Sequence, residues 1–185
     1  MNRTYYKNLR ILRKKIDKYK KHSNNNINKL IQKRKILQKK ETIISKICSI
    51  KDLVDWKIDK DKIYHKSNQF FSVEGVKIKN AQREVKEWDQ LIFNQQHGGV
   101  LAFVVRETKK YGIEFLLCLR SEPGDKNIKF CPSFSATKSN MNRAHGGKRT
   151  DLYEIIINKK GSKIIAKSAH NEEGARFWRK RNENW

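Results

Sequence analysis

Between Ser121 and Lys148 the chain reads S-E-P-G-D-K-N-I-K-F-C-P-S-F-S-A-T-K-S-N-M-N-R-A-H-G-G-K, a stretch crowded with small polar residues. From Ser133 to Asn140 it offers hydroxyls, an amide and backbone N–H groups in little volume, and Lys138 and Arg143 add positive charge. That set suits a polar anionic ligand, above all one carrying phosphate. An apolar run from Gly112 to Leu119 leads into Arg120, and Glu122-Pro123-Gly124-Asp125 forms a turn behind it. Read on its own chemistry, this loop system binds an anion.

The elements that must position these residues are mixed. Asn2 to Lys21 and Asn26 to Ile47 carry spaced apolar residues among charges and predict two helices, with Ser23 or Asn24 capping the second. From Ile50 the pattern changes. Phe70 to Ile78 alternates like a strand, and Gln82 to Asn94 reads as helical or extended around Trp88. Val100 to Arg106 reads as a buried strand that turns through Glu107 to Tyr111 into Ile113 to Leu119. Further short strands are predicted at Asn127 to Cys131, Leu152 to Ile157 and Lys163 to Ala166. Glu172 to Asn184, acidic first and basic last, predicts a terminal helix that matches the macrodipole. The expected class is α+β with a mainly antiparallel or mixed sheet. Residues 1–47 form a basic helical arm, and residues 48–185 form one module.

Charge divides the chain the same way. The formal net charge is +24 over 185 residues, and Met1 to Lys40 holds 15 Lys and Arg against one acid, Asp17. So basic an arm is a solvated helical face or a polyanion contact. Three cysteines, Cys48, Cys118 and Cys131, form no C-x-x-C pair. Cys118 and Cys131 sit among apolar, strand-like residues and read as buried thiols of a reducing compartment. Charge without an apolar core at the N-terminus argues against a signal peptide, and no run is apolar enough to span a bilayer. The expected location is the cytoplasm.

Several separated motifs resemble one family. E-P-G-D, S-A-T-K-S-N and H-G-G-K follow D-W-K-I-D (Asp55 to Asp59) and F-F-S-V-E-G (Phe70 to Gly75), and N-E-E-G-A-R-F-W-R-K-R-N-E-N (Asn171 to Asn184) comes last. In this order and at similar spacing they resemble the NDP-hexose 2,3-dehydratases of deoxysugar biosynthesis. The resemblance implies a Nudix-like module, one of a tandem pair, in a dimeric protein. This chain, at about half the family length, is then a single module. Its pocket would be completed by self-association or a second module, or the chain would be an inactive truncated module. No R-E-x-x-E-E-x-G stretch is present, which argues against metal-dependent diphosphate hydrolysis.

The implied ligand is a dTDP-linked 4-keto-6-deoxyhexose. Motif matching implies a pocket of Trp56, Arg120, Thr137, Lys138, Ser139, Asn140, Met141, Gly174, Ala175 and Arg176. Trp56 would stack on the base, and Arg120, Lys138 and Arg176 would hold the diphosphate. Met141 replaces an aromatic of the family and Ala175 a serine. The implied reaction removes the C3 hydrogen, acidified by the C4 ketone, and expels the C2 hydroxyl. No cofactor and no metal are required, because the substrate carbonyl is the electron sink. For the base the candidates are His145, beside flexible Gly146-Gly147, then Glu122 and Tyr153. His65, His97 and His170 gain no partner from spacing. The alternative is a basic, non-specific nucleic-acid-binding protein, although no zinc site or aromatic RNA-binding strand supports it.

Overall fold

The computed structural model describes residues 3–19, 27–40, 43–79, 82, 84–95 and 97–185. Two basic helices come first, α1 (Arg3–Tyr19) and α2 (Ile27–Gln38). The expected cap at Ser23 or Asn24 lies outside the described residues. Both helices meet the body. Asn8 Nδ2 donates to the Ile165 carbonyl at 2.7 Å, and Gln38 Oε1 accepts from the Ile128 N–H at 2.7 Å. The ring of Tyr19 lies against Gly112, whose φ of +73° and missing side chain both matter: a Cβ there would stand 2.2 Å from Tyr19 Cγ.

An antiparallel sheet follows, in the order β1 (Trp56–Ile58), β2 (Lys62–His65), β3 (Ser72–Lys79) and β4 (Glu87–Asn94). The alternation predicted for Phe70 to Ile78 becomes β3, and the stretch around Trp88 resolves as β4. These two strands pair along their whole length, from Ser72 opposite Asn94 to Lys79 opposite Glu87.

The single apolar run predicted over Val100 to Arg106 is two strands, β5 (Gly99–Ala102) and β6 (Val105–Thr108). β6 makes the expected hairpin with β7 (Gly112–Phe115). The chain then gives β8 (Cys118–Arg120), β9 (Lys129–Cys131) and β10 (Phe134–Thr137). Cys118 and Cys131 face each other across the β8–β9 pair; both are free and half-buried, not fully buried as expected. Ser133, at 8% exposure, ties the strand breaks together. Its hydroxyl accepts from the Val104 N–H at 2.8 Å and donates to the Leu116 carbonyl.

Two one-turn helices come next, α3 (Lys138–Met141) and α4 (Tyr153–Ile156). The second replaces a predicted strand. Its run of isoleucines favours extension, but Tyr153, Ile156 and Ile157 fall at helical spacing and pack on the core as one turn. Lys163 to Ala166 is irregular instead of a strand, and its Ile165 carbonyl is taken by α1.

The predicted terminal helix, Glu172 to Asn184, is instead a turn leading into a strand, β12 (Arg181–Asn184), which pairs antiparallel with β11 (Ser168–Asn171) just before it. Charge order matched a helix, but Phe177 and Trp178 are the only large apolar residues between Asn171 and Asn184 and make no helical stripe. The free edge of β4 captures them. Phe93 N–H donates to the Arg176 carbonyl at 2.8 Å, and Trp178 N–H donates to the Phe93 carbonyl at 2.9 Å. β12 continues alongside β5 in parallel, giving a mixed sheet ordered β10-β5-β12-β11. Val100, Ala102, Phe134, Ala136 and Ile156 form its buried cluster, with Phe134 only 2% exposed. The inward residues of β5 and β10 alternate with half-exposed ones, as a one-sided strand pair requires.

Candidate functional site

Two glycines bring three strands unusually close. A Cβ on Gly98 would stand 1.6 Å from the Arg181 carbonyl oxygen, and one on Gly99 would stand 2.5 Å from the Ala136 carbonyl oxygen. Gly99 N–H donates to Asn182 Oδ1 at 2.9 Å, and Lys138 N–H reaches the Gly98 carbonyl at 3.3 Å. The start of β5 is thereby fixed between β10 and β12, and α3 begins at the same place. Thr137 caps that turn. Its hydroxyl accepts from the Asn140 N–H at 3.4 Å and shares a hydrogen bond with Ser139 Oγ at 2.9 Å.

Cavities open on the two sides of this Thr137–Asn140 turn. The smaller, about 260 Å³, is lined by Arg120, Glu122, Thr137, Asn140, Glu172 and Lys180 among others. Arg120 Nη2 pairs with Glu122 Oε1 at 3.0 Å, and its Nη1 donates to the Ser135 carbonyl at 3.4 Å. Its Nε is buried and has no partner among the described residues. Lys180 Nζ lies 3.5 Å from Glu172 Oε2 and 4.4 Å from the centre of the Phe177 ring; its side chain is 8% exposed. Asn182 Nδ2 donates to the same Glu172 oxygen. Two cations and two carboxylates thus face one small space, an arrangement suited to polar recognition and proton transfer.

The larger cleft, about 740 Å³, has Lys138, Ser139, His65, His97, Phe70 and Phe71 in its wall. Glu74 also lines it, held by Ser72 Oγ and by Asn94 Nδ2 at 3.1 Å. Aromatic faces beside cations suit a heteroaromatic ring linked to phosphate.

The sequence-predicted residues divide accordingly. Arg120, Glu122, Thr137 and Asn140 meet in the small cavity, and Lys138 and Ser139 enter the large one. Trp56 stands behind the large cleft, 5.6 Å from the His65 ring and 4.9 Å from Phe71. That row continues through Phe93 to Phe177. Met141 and Tyr153 pack against the core cluster, and Arg149 lies 4.5 Å over the Tyr153 ring. His145 is exposed; its Nδ1 accepts from the Gly147 N–H at 2.9 Å. Gly174, Ala175 and Arg176 form a turn beside β4, where the Ala175 carbonyl accepts from Gln90 Nε2 at 2.7 Å. Arg176 there pairs with Glu173 at 3.4 Å.

Glu172, Lys180 and Asn182 were missed in the sequence. They lay inside the quoted C-terminal motif, but a helix would have spread them around its surface. In the folded chain Glu172 N–H donates to the Lys180 carbonyl at 2.9 Å, which sets the two residues opposite each other.

A pair of polar clefts thus flanks one hydroxyl-rich turn, an arrangement suited to a polar, anionic small molecule. Comparison with known proteins narrows the class. The sequence model of the NDP-hexose 2,3-dehydratase family matches residues 25–185, and the chain belongs to that family. It is 30% identical over 135 residues to a dTDP-4-dehydro-6-deoxy-alpha-D-glucopyranose 2,3-dehydratase of Saccharopolyspora spinosa, covering 71% of this chain and 28% of that protein. A protein of the same description from Amycolatopsis orientalis is 30% identical over 128 residues, covering 66% and 27%. One from Streptomyces violaceoruber is 30% identical over 138 residues, covering 72% and 31%. The match spans under a third of the length of each relative.

Proposed function

We propose that the chain is a sugar-nucleotide module that binds a dTDP-linked 4-keto-6-deoxyglucose and eliminates water across C2 and C3. The observation that carries this reading is the Thr137–Asn140 turn standing between an aromatic, cationic cleft and a small cavity of acid–base groups. The nucleobase takes the larger cleft, against Phe70 and Phe71 with Trp56 behind them. The diphosphate crosses the turn, where Thr137, Ser139 and Lys138 donate. The sugar enters the small cavity, where Arg120 offers a planar fork to phosphate or to the C4 oxygen.

The chemistry follows from the substrate. The C4 ketone accepts the electrons of the breaking C3–H bond, and the enolate expels the C2 hydroxyl as water. The resulting enol tautomerises to a 3,4-diketo-2,6-dideoxy sugar. Three protein contributions are needed: a base at C3, donors at the enolate oxygen and an acid at C2. In solution a second copy of this Nudix-like module closes the site. A reducing cytoplasm fits the three free thiols.

Family membership favours this reading over a nucleic-acid-binding protein. A polyanion contact remains a proposal for the arm alone, supported by the exposed Lys7, Arg10, Arg13 and Lys14 of α1.

Calorimetric titration with thymidine diphosphate at about physiological salt tests the binding half of this proposal. Saturable binding that weakens in Lys138→Ala and Arg120→Ala is expected, followed by water loss from the 4-keto sugar nucleotide in mass spectra. Absence of saturation would refute it.

A further inference from the structure

Resting on the dehydratase reading, we propose that Glu172 and Lys180 are its acid–base pair, Glu172 taking the C3 proton and Lys180 protonating the departing C2 hydroxyl. Neither residue was among the candidates that the sequence offered.

The small cavity holds two ion pairs, Arg120–Glu122 and Lys180–Glu172. An arginine guanidinium keeps its proton in proteins, so the first pair supplies an acceptor without a usable acid. An ammonium can give up a proton, so the second pair supplies both functions. His145 and Tyr153 line neither cavity.

The spacing of this second pair also suits the reaction. Glu172 Oε2 and Lys180 Nζ are 3.5 Å apart and open to the same space. In a gluco-configured ring the hydrogen on C3 and the hydroxyl on C2 lie on neighbouring carbons and on the same face. A base and an acid side by side can therefore serve both in a syn elimination. Groups on opposite walls of the cavity could not.

The pair is also held in place. Asn182 donates to Glu172 while accepting from the Gly99 N–H, and the two backbones pair at Glu172 and Lys180. Such support fixes proton-transfer groups in a productive geometry. The protons balance without any cofactor. Glu172 gains the C3 proton, and Lys180 gives one to hydroxide, which leaves as water. Transfer from the Glu172 acid to the adjacent Lys180 amine then restores the pair.

The test is proton NMR of the 4-keto-6-deoxy sugar nucleotide in deuterated buffer, with the full chain and its Glu172→Gln, Lys180→Met and Lys180→Arg variants. Wild type is expected to exchange the C3 hydrogen and form product. Glu172→Gln should lose both by about a hundredfold or more. Lys180→Met and Lys180→Arg should keep C3 exchange yet lose elimination by a similar factor, a split that general misfolding does not produce. Thymidine diphosphate affinity in the Gln variant should stay within about threefold, which separates chemistry from binding. If wild type dehydrates and Glu172→Gln exchanges C3 at the wild-type rate, the assignment is overturned while the dehydratase reading stands. A wild-type chain that binds nucleotide but neither exchanges nor eliminates overturns both.

Discussion

Gly98 and Arg181 are in backbone contact: the carbonyl oxygen of Arg181 occupies the place, 1.6 Å away, where a side chain on Gly98 would begin. The neighbour is main chain, so it cannot rotate aside. A Gly98→Ala substitution must push β12 away from β5, and Asn182 follows, with Lys180 just before it in the chain. The expected result is a loss of about 1–3 kcal/mol in urea unfolding, with weaker nucleotide binding. Gly124, with nothing within 4 Å of its would-be Cβ, is the matched control and should accept Ala with little change.

Ser133 carries a different kind of load. One hydroxyl satisfies the Val104 N–H and the Leu116 carbonyl at once, joining the two places where a longer strand was expected. Ser133→Ala leaves both groups without that partner in a site that is 8% exposed. The predicted cost is about 1–3 kcal/mol, measured as a lower midpoint at unchanged m-value.

Acid should loosen the Glu122–Asp125 turn beside the small cavity. The Lys129 ammonium, and after it the Glu122 N–H, hold the Asp125 carboxyl below the usual aspartate range. A group depressed in the folded state contributes stability above its unfolded value of about 3.9, and that contribution fades as pH falls through the lower folded value. Protection of the Glu122 amide, its exchange relative to that of an unstructured amide at the same pH, is therefore expected to fall below about pH 4 in wild type. In Asp125→Asn the acid-dependent step should vanish. A wild-type exchange profile without that step contradicts the assignment.

These positions also show what the sequence could express. The strand that buries one face was legible in β3, because alternation is a local pattern, and β5 lay within an apolar run, whereas β10 was hidden in a stretch read as a polar loop. So were the turn residues around Glu122 and Thr137, whose types are dictated by hydrogen bonds within a few residues. The C-terminal stretch was misread because its partner is remote: Phe177 is held by Phe93, and Glu183 faces Val100. Charge order alone could not weigh an unpaired sheet edge against a helix. The Glu172–Lys180 pair was lost with that misreading. The tight approach at Gly98 was likewise invisible, since Gly98-Gly99 reads as punctuation until β12 is placed beside it.

The basic arm gives the last prediction. Gln38 Oε1 accepts from the Ile128 N–H at 2.7 Å, and Arg34 Nη1 donates to the Ile128 carbonyl at 3.3 Å, so α2 satisfies both backbone groups of a residue that is 5% exposed. Gln38→Ala should cost about 1–3 kcal/mol, because the buried N–H loses its acceptor. Removing the whole arm would mix that loss with the loss of charge. A cleaner division keeps α2 and replaces Lys7, Arg10, Arg13 and Lys14 on exposed positions of α1. If the arm contacts polyanions, the logarithm of affinity for single-stranded DNA should fall steeply with the logarithm of salt in wild type. The fourfold variant should then show a slope shallower by about 0.7 for each contact removed. Thymidine diphosphate affinity should be the same in both proteins, since none of the four residues lines either cleft beside the Thr137–Asn140 turn. An unchanged salt slope would assign these charges to solvent.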